Sequence, residues 1–470
     1  MKFATLFLAI LLLSGNCLGQ AGSIAGKAEK PQPGQLTERV VCLANPAQSY
    51  ALYLPSNYSP SRSWPVLFAF DPGARGKVPV ELMKDAAEQN GFIVLGSNNS
   101  RNGPWKPEAD AADAMLQDAQ ERFSIDLKRI YFAGFSGGAR VASQLAQLCK
   151  CSAGVLLSGA GFSTNSSPQR DTLFPVFSAA GNLDFNYSEL IPLQDKLEKA
   201  GYPHWLRVFD GIHEWAPAAV MEEAFAWFRI QSMRAKREPR DDGFISAQLN
   251  AAVSLAERQN ANGELLSAWR QYKQIAETYE GISNVAPFKA KAEELARQKS
   301  VQDSLKRERN DFEDQQTVSG QILGALQAKN NSDAPRSEAE PSVALDVRGL
   351  RQRAENEKSP ERAVVLKRAL AGVFIGAIEA GNDELNKKEY GSAARYFSVA
   401  AEARPDAEWP LRQLAMAQAL GNERKAAIET LKRAKSKAHD AEEFVRWVQN
   451  EPAFQNLLKR PEMAELGIGH

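Results

Sequence analysis

Histidine is scarce in this chain: four in 470 residues, namely His204, His213, His439 and His470. Any chemistry that needs an imidazole must draw on those four. Cysteine is equally thin, with Cys17, Cys42, Cys149 and Cys151, which excludes a disulfide-stapled scaffold of this length. There is no surplus of either charge. The 57 Lys and Arg residues balance 57 Asp and Glu, which removes any bulk attraction to nucleic acid or to an anionic membrane. Gly-rich phosphate loops, dinucleotide fingerprints and clustered zinc ligands are lacking too, so the sequence asks for no cofactor and no metal. What is present is a 44% hydrophobic, 24% charged composition, ordinary for globular protein and long enough for about three domains.

The N-terminus reads as an address. Lys2 precedes an apolar run over residues 3–13, and small or polar residues follow through Gln20. This is the layout of a secretory signal peptide over residues 1–19, and its apolar run is too short to cross a bilayer. Cys17 raises a lipoprotein signal, but Asn16 stands where such signals carry Gly, Ala or Ser. No other stretch is apolar enough to span a membrane. The mature protein is therefore expected to be exported, to a periplasm or outside the cell, beginning with a flexible segment over residues 20–36. Three cysteines then remain, an odd number. A Cys149–Cys151 bridge, a bridge to Cys42, and buried free thiols all stay open.

Residues 37–235 alternate short β-rich runs with amphipathic stretches. Strands are predicted over 39–43, 50–54, 65–70, 92–95, 129–133, 154–157, 175–178 and 205–209. Helices are predicted over 80–90, 109–123, 136–148, 190–200 and 215–230. The run Pro65-Val66-Leu67-Phe68-Ala69-Phe70 is apolar throughout, as a strand buried on both faces should be. Strands alternating with helices imply crossover connections and a mostly parallel eight-stranded sheet, its first two strands forming an antiparallel lead-in. After residue 235 the strands stop. Residues 243–300 read as helical, and 301–346 as a polar linker or mobile helix. Residues 347–470 read as a further all-α region rich in Ala.

The chemistry is carried by a few residues. The strand over 129–133 runs straight into Gly134-Phe135-Ser136-Gly137-Gly138 and then a helix. A nucleophile elbow needs such a tight strand-to-helix turn, with glycines where a Cβ would strike the neighbouring strand or helix. A serine hydroxyl is a poor nucleophile until a base takes its proton. His213 follows the last predicted strand and precedes the last helix of this region. His204 comes before that strand, and His439 and His470 lie among the later helices. Asp184 follows the strand over 175–178 and is the candidate that orients the imidazole. Asp171 lies before that strand, and Asp210 approaches the His213 turn from the wrong side. The order Ser136, Asp184, His213 is the order such an arrangement uses. The segment Asn98 to Trp105 follows another strand and should sit on the rim, where Arg101 and Trp105, with Trp215 beyond the histidine, are candidate substrate contacts.

On these residues, positions 37–235 resemble an α/β-hydrolase catalytic domain of the serine esterase type. The resemblance implies an oxyanion hole made by the Gly137 amide and an amide of the loop Asp71-Pro72-Gly73-Ala74-Arg75-Gly76. That loop has Asp71-Pro72 where the family usually has His-Gly. Pro72 has no N–H, so Gly73 or Ala74 is left as the second donor. The stretch between Leu157 and Leu173 is too short for a large lid. The run His213-Glu214-Trp215 is similar to that of small secreted feruloyl, acetyl-xylan and polyhydroxybutyrate-type esterases, and fixes no substrate.

The Ala-rich region resembles tetratricopeptide repeats. The residues that carry this are Tyr390, Ala393, Ala394, Tyr396, Phe397, Ala400 and Ala401, with Pro405 closing the unit. A weaker copy covers 409–438 and a degenerate one 260–279. The expectation is an exported serine hydrolase acting on small-molecule or polymer esters, with helical repeats that contact a protein or polymer. A non-catalytic binding or scaffold protein and a serine peptidase are the alternatives.

Overall fold

A computed structural model describes residues 31–163, 167–330 and 341–467. The expected signal segment with Cys17, residues 331–340 of the expected linker, and His470 lie outside the described residues. The chain divides into two compact units, residues 1–306 and 307–470.

The first unit is built on eight strands: β1 (Leu36–Val41), β2 (Ser49–Tyr53), β3 (Trp64–Phe70), β4 (Ile93–Ser97), β5 (Ile125–Phe135), β6 (Ser152–Ser158), β7 (Val176–Gly181) and β8 (His204–Phe209). They form one sheet in the order β1-β2-β4-β3-β5-β6-β7-β8. β2 runs antiparallel to both β1 and β4. From β4 to β8 every pairing is parallel. The eight predicted strands are present, with their ends moved. β5 starts at Ile125 rather than 129, because its first half is a partly solvated extension, with Leu127 and Lys128 exposed and Asp126 beside them, that an apolar count misses.

Helices cover both faces: α1 (Lys77–Asn90), α2 (Trp105–Arg122), α3 (Gly137–Cys149), α4 (Tyr187–Ala200) and α5 (Ala218–Arg234). The strand period of two sorts the core into layers. On one face Val66, Phe68 and Phe70 meet Met115 of α2, Val141 and Leu145 of α3, and Leu190 and Leu197 of α4. On the other, Leu67, Ala69, Tyr131 and Ala133 meet Val80 and Met83 of α1 and Phe225 and Phe228 of α5. α1 and α2 begin three to four residues ahead of expectation, at Lys77 and Trp105. Pro79 and Pro107 look like breakers in sequence but occupy the first helical turn, where a missing N–H costs nothing. This strand order, with the strand-to-helix turn at its centre, is the α/β-hydrolase fold.

Three more helices belong to this unit: α6 (Asp242–Ala261), α7 (Leu265–Tyr279) and α8 (Ala286–Ala296). Ile230 and Met233 of α5 share a buried cluster with Ile245, Tyr272, Ile275 and Leu295. The Trp227 indole donates to Thr278 Oγ1 at 3.1 Å. Cys149 and Cys151 form a disulfide between α3 and β6, and Cys42 is a buried free thiol, its pKa pushed up to about 11 by burial and by the nearby Asp118.

The second unit is all helical. The long α9 (Lys299–Asn330) enters it, followed by α10 (Pro341–Asn356), α11 (Pro360–Asn386), α12 (Tyr390–Ala403), α13 (Glu408–Leu420), α14 (Arg424–Lys435) and α15 (Ala441–Asn450). Val318, Ile322 and Leu326 recur every fourth residue along α9 and pack with Val347, Leu366 and Val373. The first half of α9 is polar and its apolar stripe begins only near Val318, which is why this stretch reads from sequence as a linker or mobile helix; it is a helix. Ala393, Ala394 and Ala417 let α12 and α13 approach closely around Phe397 and Leu414. Among the described residues no helix is long and apolar enough to cross a membrane.

Candidate active site

The loops that leave the C-terminal ends of β3 to β8 all emerge at one edge of the sheet, the edge where parallel α/β sheets place their ligands. Ser136 lies between β5 and α3 with φ 53° and ψ −122°. A left-handed non-glycine residue is strained, and this one lifts its side chain clear of strand and helix. The turn closes only because its neighbours lack side chains. A Cβ on Gly134 would collide with the Gly138 carbonyl, and one on Gly138 with the Phe70 carbonyl of β3. The Ser136 amide donates to the Ser158 carbonyl of β6 at 2.9 Å, pinning the elbow to the next strand.

His213 comes from the loop after β8 and reaches Ser136: Nε2 lies 2.9 Å from Oγ. Its Nδ1 lies 2.9 Å from Asp184 Oδ1, from the loop after β7. A carboxylate is acceptor only, so Nδ1 carries the proton and Nε2 is free to accept from the serine hydroxyl. Phe135 and Phe185 hold the imidazole between them at ring-centroid distances of 4.7 and 4.3 Å. The His213 side chain is 18% exposed and that of Asp184 is fully buried. Asp184 Oδ1 also accepts the Asn186 amide at 2.8 Å, whereas its buried Oδ2 has no hydrogen-bond partner among the described residues. The two loops are strapped together. The Leu183 amide donates to the Gly211 carbonyl at 2.9 Å, and the Asn182 side chain donates to Asp210 Oδ1 at 3.0 Å. Asp210 is thus tied down within the turn, and His204 sits at the far end of β8 with Nδ1 against the Tyr202 carbonyl.

The other site residues proposed from sequence fare unevenly. Gly137 opens α3, and as the first helical residue its N–H has no acceptor within the helix. Both candidate second donors are already engaged by one residue. The Gly73 N–H donates to Asp71 Oδ1 at 2.8 Å and the Ala74 N–H to the Asp71 carbonyl at 3.1 Å. Arg101 is exposed and pairs with Gly73 in an antiparallel bridge, so it stays on the rim. Trp105 starts α2, half-buried against the core. Trp215 is 7% exposed, and its indole donates to Asp71 Oδ2 at 2.8 Å while its ring packs on Phe135. That indole is a fastener for the histidine loop rather than a surface for substrate. Phe162, which could have closed over the site, is buried with Phe174 and Tyr202.

Asp71 is the residue that sequence reasoning missed. It is fully buried, and Arg75 donates to both of its oxygens at 2.8 and 2.9 Å. Burial pushes its pKa up, but hydrogen bonds from Arg75, the Trp215 indole and the Gly73 amide outweigh it and hold the carboxyl below its usual range. One ionised side chain therefore shapes the loop after β3 and anchors the loop that carries His213. A second missed pair is Arg140 with Glu189, joined by two bonds at 2.8 and 2.9 Å. Glu189 also accepts the Gly161 amide at 2.9 Å and so fixes the loop after β6.

Among solved structures, a ferulic acid esterase is similar over 42% of this chain and 98% of its own, with a TM-score of 0.36 and 16% identity. A fluorophosphonate-binding serine hydrolase of Staphylococcus aureus covers the same shares at a TM-score of 0.34 and 11% identity. An esterase of the archaeon Pyrobaculum calidifontis covers 44% of this chain and 88% of its own, at 0.36 and 12%. No protein-family model and no curated protein matches the chain.

Proposed function

We propose that this chain is an exported serine hydrolase that cleaves carboxylic esters through an acyl-enzyme. The observation that carries the reading is the continuous relay from Ser136 Oγ to His213 Nε2 and from His213 Nδ1 to Asp184, each step 2.9 Å, centred on a strained serine. His213 takes the hydroxyl proton as Ser136 attacks the carbonyl carbon. The π pair moves to the carbonyl oxygen, and the Gly137 N–H with the positive end of α3 receives that charge. His213 then gives its proton to the departing alcohol, and a water activated by the same imidazole releases the acid. Asp184 holds the ring and answers its positive charge. With no donor to Oδ2 among the described residues, the carboxylate keeps its charge available to the ring.

Export rests on the N-terminal pattern of residues 1–19. We further propose that the repeat-like helices of residues 243–300 and 347–470 contact a protein or polymer partner. The test is turnover of p-nitrophenyl acetate and butyrate by the mature protein and its Ser136→Ala variant. The variant is expected to lose roughly 10³-fold or more in kcat, and a fluorophosphonate probe to add its mass at Ser136. Equal rates would overturn the assignment. A folded protein whose Ser136 takes no label would instead favour the binding or scaffold role.

A further inference from the structure

The two amides of the loop after β3 that stand as candidate second oxyanion donors are both committed, since those of Gly73 and Ala74 serve Asp71, and Pro72 has no N–H. Another donor stands at the same place. The loop after β4 carries Asn102, whose own amide donates to the Pro72 carbonyl at 2.9 Å, while the preceding Arg101 bridges to Gly73. The main chain of Asn102 is thereby fastened to the loop after β3. Its side chain lies on Gly137. A Cβ at Gly137 would collide with the Asn102 carboxamide oxygen and stand 3.3 Å from its nitrogen. Asn102 is exposed, and among the described residues no hydrogen bond engages its carboxamide.

Resting on the hydrolase reading above, we infer that the Asn102 carboxamide N–H is the second oxyanion donor, acting beside the Gly137 N–H. A half-turn about χ2 exchanges the oxygen and nitrogen of a carboxamide without changing its shape. A negative oxygen growing next to the Gly137 amide favours the rotamer that presents N–H. Asn102 transfers no proton: it donates a hydrogen bond as the carbonyl π pair moves onto oxygen, and keeps it until that pair returns. This gives the glycine at 137 its reason. Any side chain there would expel the carboxamide from the one position that shares a target with the first amide of α3. It also fits the Asp71-Pro72 replacement, because the duty that the engaged Gly73 and Ala74 amides leave open passes to a side chain from the adjacent loop.

The experiment compares wild type, Ser136→Ala, Asn102→Ala and Asn102→Asp, all full-length, on p-nitrophenyl butyrate, with inhibition by an alkyl trifluoromethyl ketone as a tetrahedral probe. Asn102→Ala should lower kcat by about 10²–10³ and weaken the ketone in parallel, with KM within about threefold of wild type. Asn102→Asp keeps the shape but offers an acceptor, so it should fall at least as far. A purely structural role for Asn102 would leave the isosteric Asp variant near wild type, and that result overturns the inference. So does an Asn102→Ala kcat within about threefold of wild type while Ser136→Ala is inactive, a pattern that leaves the hydrolase reading intact. Wild-type turnover by Ser136→Ala overturns both.

Discussion

At Ser136 the backbone adopts φ 53° and ψ −122°, a conformation that costs about 1–3 kcal/mol for a residue with a side chain. That strain was legible from a serine set between glycines at a strand-to-helix junction. The position of His213 was legible from scarcity and order alone. Asp71 was not, because a buried carboxylate shows itself through its partners, and Trp215 lies 144 residues away in sequence. Phe185 was equally hidden, since an aromatic beside an aspartate says nothing of the ring it will stack on. Glu108 offers a test at this scale. It is 8% exposed in the first turn of α2, and burial pushes its pKa from 4.5 up to about 7. Between those values the folded protein holds a proton that the unfolded chain has released. Stability from this group therefore falls as pH rises across that window and stays diminished above it, by on the order of 1–3 kcal/mol. Glu108→Gln should match the wild-type Tm at pH 4.5 and exceed it by a few degrees at pH 8. Melting curves that differ equally at both pH values would count against the assignment.

Among the elements, α3 carries the most constraint. It starts on the nucleophile, sends its first amide toward the site, and lies so close to β3 that Gly138 touches the Phe70 carbonyl. Gly138→Ala should displace the helix against main chain, which has no rotamer to yield. A loss of about 1–3 kcal/mol or more is expected, read as a Tm lowered by several degrees or as insoluble protein. Gly103→Ala is the control: a Cβ there meets only the Arg101 carbonyl at 3.8 Å, and its Tm should stay within about a degree of wild type. Strands were readable because each is an apolar run between turn residues. The hidden parts were helix starts masked by Pro79 and Pro107, the solvated half of β5, and the packing of α9, which reads from sequence as linker or mobile helix. In each case a local pattern was outweighed by position within the element, which propensity does not encode.

On the scale of the whole molecule, the two units are built from unlike material. Among the described residues the fully buried Trp and Tyr side chains, Trp64, Trp227, Tyr50 and Tyr131, all lie in the first unit, whereas the largest in the second are Phe397, Phe444 and Phe454. The second packs its helix contacts on alanine, with Ala369, Ala377, Ala393, Ala394, Ala400, Ala417, Ala427 and Ala434 essentially inaccessible beside Leu350, Leu431 and Phe444. Small side chains permit close helix contact but withdraw little apolar area per residue from water. The consequence is calorimetric. The second unit, smaller and without a fully buried Trp or Tyr among the described residues, should melt at the lower temperature for want of hydrophobic stabilisation, and with the smaller heat-capacity step because that increment scales with the apolar surface released. Scanning calorimetry should resolve two endotherms, and ester hydrolysis should survive passage through the first. A single transition that takes the activity with it would mean that the two cores unfold as one. Brief heating between the two endotherms would then be a way to silence one half of the chain while the other continues to turn over.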